Sequence, residues 1–149
     1  MKRAVRFLIS AVMTAALLLP AAAGIAEEAE EEQLPGKIRV SDGTNTVIYQ
    51  LNDSPSAQML YGMMPLDVQV ENYGNNEKIF YLEQEIDTDD GIESGGEAGA
   101  LALFSPWGNI VMYYDSFSAY EGLYILGQAV EGTDLVRNLS GLVHIEAVE

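Results

Sequence analysis

Two stretches of this 149-residue chain set aromatic rings, hydroxyls and a carboxylate close together. Tyr73, Glu77 and Tyr81 belong to the first; Trp107, Tyr114, Ser116 and Ser118 belong to the second, with Tyr113 and Tyr120 beside them. Rings with polar handles, displayed at the ends of hairpins, are what grooves for small molecules and peptides are made of. The seven residues of those two groups are therefore candidate ligand contacts. Filling a protein core is the competing use for such rings. In a strand Tyr113 and Tyr114 must face opposite sides, so at most one of them is core. Glu77 has two readings: it orients a ligand beside Tyr73 and Trp107, or its carboxylate accepts bonds from the amides of a turn. The second is the commoner employment of an acidic residue at a hairpin tip.

Other chemistries lack the residues they need. His144 is the single histidine and there is no cysteine. Hydrolytic zinc and cysteine–histidine catalysis are thereby short of nitrogen and sulfur ligands, and disulfides are ruled out. A Ser–His–Asp set is formally available, but no serine stands in a Gly-x-Ser-x-Gly elbow, and a lone strand histidine is expected to be structural or on the surface. The run Asp87-Thr88-Asp89-Asp90-Gly91-Ile92-Glu93 has the alternating oxygens that calcium favours. Counted from Asp87, however, the twelfth position is Ala98 and not the glutamate of an EF-hand, so the run reads as a solvated acidic loop. No catalytic residue, metal site or cofactor is assigned.

The elements that must hold the aromatic residues are legible from alternation and turn chemistry. Residues 66–82 alternate from Leu66 to Val70, pass through Tyr73-Gly74-Asn75-Asn76, which tolerate a tight turn, and continue as Ile79-Phe80-Tyr81-Leu82. Residues 101–118 form a second hairpin whose turn is Pro106-Trp107-Gly108-Asn109. An opening hairpin joins Ile38 and Val40 to residues 47–51 across Ser41-Asp42-Gly43-Thr44-Asn45. Ser54 and Pro55 start a helix with Ala57, Leu60, Tyr61 and Met64 at helical spacing, and Pro65 stops it. Residues 83–99, with seven carboxylates and four glycines, read as a loop. A connector over residues 116–124 follows the second hairpin. Gly132-Thr133-Asp134 opens a short helix capped by Thr133 and running to Leu139, and residues 142–148 alternate as a closing strand.

Residues 67–78, the Trp107 hairpin ending in Tyr114-Asp115-Ser116-Phe117-Ser118, and Leu126-Gly127 together resemble the bacterial cyclophilin-like domain family, over residues 37–149. The resemblance implies an all-β fold: a closed cyclophilin-like β-barrel with two short helices, the first of them plugging one mouth. Where that family often carries an arginine just before the Leu-Gly pair, Tyr124-Ile125 stand here. In active cyclophilins, the resemblance further implies, an arginine in an apolar groove hydrogen-bonds the proline amide and eases rotation about its C–N bond. Beyond the leader this chain has only Arg39, on the first strand, and Arg137, on the last helix, neither in such surroundings. Fold does not by itself supply the reaction.

Lys2, Arg3 and Arg6, the apolar residues 7–19, then Pro20 and small residues to Ala26 have the three-part form of a secretory signal peptide. A largely apolar run of thirteen residues is short of the roughly 20 a spanning helix needs, so cleavage after Ala26 or Ala23 is expected, leaving no membrane span. Domain boundaries follow: residues 1–26 as signal peptide, 27–36 as an acidic flexible tether, and 37–149 as the folded domain. Past Ala26, 23 acidic residues stand against four basic ones, a net charge of −19. Such a surface repels nucleic acid and anionic membranes. The expected protein is exported, extracellular or periplasmic, and serves as a non-catalytic binding module for a small molecule or peptide. A peptidyl-prolyl isomerase-like enzyme is the second reading, and a structural or interaction domain the third.

Overall fold

The structure, a computed structural model, describes residues 36–86 and 91–149. The leader, most of the tether and Asp87 to Asp90 of the acidic run lie outside the described residues. The strands are β1 (Lys37–Ser41), β2 (Thr46–Leu51), β3 (Leu66–Tyr73), β4 (Glu77–Tyr81), β5 (Ile92–Glu93), β6 (Ala100–Phe104), β7 (Asn109–Tyr113), β8 (Leu123–Glu131) and β9 (Gly141–Val148). Helix α1 (Pro55–Gly62) follows β2, and a 3-10 helix (Thr133–Asn138) precedes β9. Eight strands pair antiparallel in the ring β1-β2-β8-β6-β7-β4-β3-β9, which returns to β1 and closes a barrel. β5 lies against β8 outside that ring. Closure removes the open sheet edges that a barrel of this size would otherwise expose.

Local chemistry accounts for the turns. Gly43 takes φ 88° between β1 and β2, while the Asp42 carboxylate accepts the backbone N–H groups of Thr44 (2.9 Å) and Asn45 (2.7 Å). It also accepts the N–H of Ser140 at 3.2 Å, which ties this turn to the start of β9. Ser54 caps α1, its Oγ accepting the Ala57 N–H at 3.2 Å, and Pro55 opens the helix. Ala57 and Leu60 are fully buried, and Tyr61 and Met64 pack on the same core. At the 3-10 helix the cap position falls to Gly132, with φ 73°, and Thr133 is the first helical residue in place of the cap expected of it.

The alternation does not reveal the two-residue β5, which falls within residues 83–99 read as a loop, or the much longer β8. Residues 116–124 read as a connector, yet the strand begins at Leu123 and runs nine residues. Its first half is largely covered while Gln128, Val130 and Glu131 are exposed, and register shifts in its pairings with β6 and β2 break the period of two. It also contains Gly127, where a Cβ would lie 2.4 Å from the Gln50 carbonyl oxygen, so β2 and β8 approach closely at the barrel seam.

The barrel interior is filled by Tyr49, Phe80, Leu101, Ile110, Met112 and Leu126 among others. A second apolar cluster, Ile79, Ala100, Ala102, Val111, Tyr113 and Leu123, lies on the opposite faces of β4, β6, β7 and β8. That outer face is therefore not solvated in the ordinary way: all five residues of β7 are buried, which hides its alternation. Phe117 covers part of it, stacking on Tyr113 with centroids 3.6 Å apart, while Gly96 and Phe117 exchange backbone hydrogen bonds.

Candidate functional site

Along β4 the odd residues Glu77 and Ile79 point outward, as do Asn109, Val111 and Tyr113 of β7; Phe80, Ile110 and Met112 point into the barrel. The register sets Glu77 opposite both Tyr73 and Tyr113, and Asn109 opposite Phe104. A pocket of about 340 Å³ opens over this outer face. Ile79, Val111 and Leu123 supply apolar lining, and Tyr73, Trp107, Phe104 and Tyr120 supply the rings.

The rings form a continuous edge-to-face chain. Tyr73 and Trp107 have centroids 5.3 Å apart at 83°, Phe104 and Trp107 are 5.3 Å apart at 78°, and Phe104 and Tyr120 are 5.7 Å apart at 66°. Tyr73 ends β3 beside Glu77, whereas Trp107 belongs to the turn next to Asn109, which pairs with Tyr81 at the other end of β4. The two rings thus come from opposite ends of the sheet face and meet across it. Gly108 at φ 68° makes the Trp107 turn possible, and Gly122 seats it: a Cβ there would lie 2.8 Å from Pro106, and its carbonyl accepts the Ser105 N–H at 2.8 Å. Even so, Trp107 is 49% exposed and Tyr73 46%.

Two polar groups set the electrostatics. Glu77 is half-buried, and burial pushes its carboxyl above the ordinary range. Among the described residues its side chain has no ion pair or hydrogen bond, so the reading in which it bonds turn amides is corrected: the tip is held by Gly74 at φ 60° and by Asn72 Nδ2 donating to the Gly74 carbonyl at 3.1 Å. Tyr113 beside it has its phenol pushed upward by burial and by the Glu77 charge. Asn109 is 1% exposed, and its side-chain oxygen has no hydrogen-bond partner in the protein. A buried amide oxygen left without a partner costs about 1–3 kcal/mol.

Of the sequence candidates, Tyr73, Glu77, Trp107 and Ser118 come together here, with Tyr113 and Tyr120. Tyr114 turns to the other face, packs on the barrel core, donates from its phenol to Asn72 Oδ1 at 3.1 Å and carries the Arg137 guanidinium 5.5 Å over its ring. Ser116 is exposed and accepts at its carbonyl from Asn76 Nδ2 at 3.3 Å. Tyr81, 54% exposed, lines a separate depression of about 480 Å³ with Met63 and Pro65. That second hollow is larger, but it holds no buried polar atom without a partner, so the first is the stronger candidate. Phe104, Asn109 and the apolar Ile79, Val111 and Leu123 also line the pocket without being singled out by the sequence; Asn109 reads there as a turn residue, although Asn109, Val111 and Tyr113 share one face at a spacing of two.

His144 lies on the outer face of β9, its Nδ1 2.7 Å from an Asp67 carboxylate oxygen and its Nε2 3.8 Å from Glu146. Arg39 pairs with Glu146 at 2.6 Å. Neither Arg39 nor Arg137 lines the aromatic pocket. Among the described residues no group of three or more His, Asp or Glu is placed to hold a metal ion.

A closed antiparallel eight-stranded barrel with two short helices and a pocket on its outer wall defines a cyclophilin-type domain. The chain belongs to the Cyclophilin-like family, which it matches over residues 40–147. It is also similar to the solution structure of the hypothetical protein AF2241 from Archaeoglobus fulgidus, with a TM-score of 0.63 and 14% identity over 76% of this chain and 95% of that one. At that identity the likeness is one of fold. No curated protein matches the sequence.

Proposed function

We propose that this cyclophilin-like domain is an exported, non-catalytic binding module whose ligand, a small molecule or a short peptide, occupies the outer-face pocket. The observation that carries the reading is the aromatic-lined pocket itself, with the half-buried Glu77 carboxylate, which has no ion pair or hydrogen bond among the described residues, in its wall. The pocket volume lies at the lower end of the range of about 300–1,000 Å³ usual for small-molecule sites. Export is supported by the basic, apolar and small-residue order of residues 1–26. Isomerase chemistry has less support, because both arginines beyond the leader are engaged away from the pocket.

A thermal-shift screen of small molecules and short peptides tests this, run in parallel on the parent protein and Trp107→Ala. Ligands at about 100 times their dissociation constant stabilise by roughly 2.7 kcal/mol, and that shift is expected in the parent and not in the variant. Hits that stabilise both proteins equally would move the site elsewhere. A protease-coupled proline isomerisation assay is expected to give no rate above the uncatalysed one, and a rate abolished by Trp107→Ala would make the pocket catalytic.

A further inference from the structure

The polar character of the pocket is one-sided. Among the described residues Glu77 is its only formally charged lining residue, and neither lysine nor arginine faces it. The register puts the Glu77 side chain next to Tyr73, and the Tyr73 ring stands at 83° to that of Trp107, so a carboxylate and two nearly perpendicular ring systems share one corner. Ring faces carry negative potential that attracts organic cations, and the Tyr73 and Trp107 rings, in edge-to-face contact, stand in the pocket with the carboxylate. An unpaired, partly desolvated carboxylate next to them is unfavourable when the site is empty and favourable when a cation fills it. A neutral apolar ligand would bury Glu77 further without compensation.

Resting on the reading of this pocket as a ligand site, we propose that its ligand is an alkylammonium: a protonated amine whose head sits between the Glu77 carboxylate and the Tyr73–Trp107 corner, and whose apolar stem lies over Ile79 and Val111. The burial that raises the Glu77 carboxyl agrees with this, since an ammonium partner would draw it back down. The strongly acidic chain, with a formal net charge of −16, attracts the same class of ligand from a distance. The amine has two available sources, a free small amine and the side chain of a lysine in an extended peptide, and they share the same head chemistry.

Trp107 is the only tryptophan, so its fluorescence reports this corner alone. Titration at constant ionic strength with pentylamine, pentan-1-ol and a short acetylated, amidated peptide holding one lysine separates the possibilities. Saturable quenching or enhancement by pentylamine is expected, with pentan-1-ol at least tenfold weaker, and Glu77→Gln is expected to abolish the difference between the two. A peptide that binds at least as tightly as pentylamine identifies a lysine side chain as the natural source; a weaker one identifies a free amine. Equal binding of amine and alcohol would overturn the cation proposal and leave the pocket as a site for neutral ligands. A Trp107 signal unmoved by all three probes would overturn it as well, and the thermal-shift screen then decides separately whether the pocket binds anything. Retained amine selectivity in a folded Glu77→Gln protein would remove Glu77 as the counter-ion.

Discussion

Two side chains, Tyr49 and Glu77, carry a polar atom into an apolar setting, and at both the loss of that burden is expected to leave the fold as stable or more so. Tyr49 is wholly buried in the barrel, its hydroxyl has no protein partner, and burial pushes its phenol far above the ordinary range. Tyr49→Phe removes that hydroxyl while keeping the ring, so chemical denaturation should find the variant equal in stability or up to about 1 kcal/mol more stable. Glu77 titrates where this can be followed. Its folded pKa is raised, so its contribution favours the fold below the ordinary carboxylate range and is lost as pH rises through the folded value. Glu77→Gln should consequently melt at or above the parent at pH 7, with the difference vanishing well below pH 4.5. A variant that melts several degrees lower at pH 7 would restore the turn-bonding role. At this scale Tyr73, Glu77, Trp107 and Ser118 were legible, because rings and a carboxylate at hairpin ends stand out in a sequence. Asn109 and Phe104 were not, because their meaning depends on which sheet face is covered from outside, and distant loops decide that.

The hairpins β3–β4 and β6–β7 and the helix α1 could be read from local chemistry alone: turn glycines, a serine cap, a proline at the first helical position. β8 could not, since register shifts break its alternation and its interior glycine resembles a break. Gly127 is nonetheless where the barrel shuts. A methyl group there would meet the Gln50 carbonyl oxygen at 2.4 Å and the Leu51 Cα at 3.0 Å, both backbone atoms that cannot swing away. Gly127→Ala should therefore cost about 2 kcal/mol or more in a urea melt, above the roughly 0.5 kcal/mol typical of surface changes. A loss within that surface range would mean the seam is looser than its geometry indicates.

Over the molecule as a whole, a single closed barrel holds its interior core and a second apolar layer without a disulfide. Residues 1–35 hold a basic and apolar stretch and then a run rich in glutamate, and that run offers little to the core. Gly36 does contribute, its carbonyl accepting the Leu51 N–H at 3.0 Å and Gln50 Nε2 at 3.2 Å. A chain beginning at Gly36 is expected to melt cooperatively and within a few degrees of the protein lacking only residues 1–26, and loss of the transition would move the domain boundary toward the N-terminus.

The central claim, that the outer-face pocket takes a ligand, is tested most directly by one resonance. In a ¹H–¹⁵N correlation spectrum the single tryptophan gives a single indole N–H peak. When the protein is titrated with hits from the ligand screen, that peak should move saturably, in step with the backbone amides of Glu77 and Asn109. A fixed indole peak while amides around Tyr81 and Met63 shift would place the site in the other depression and contradict the account.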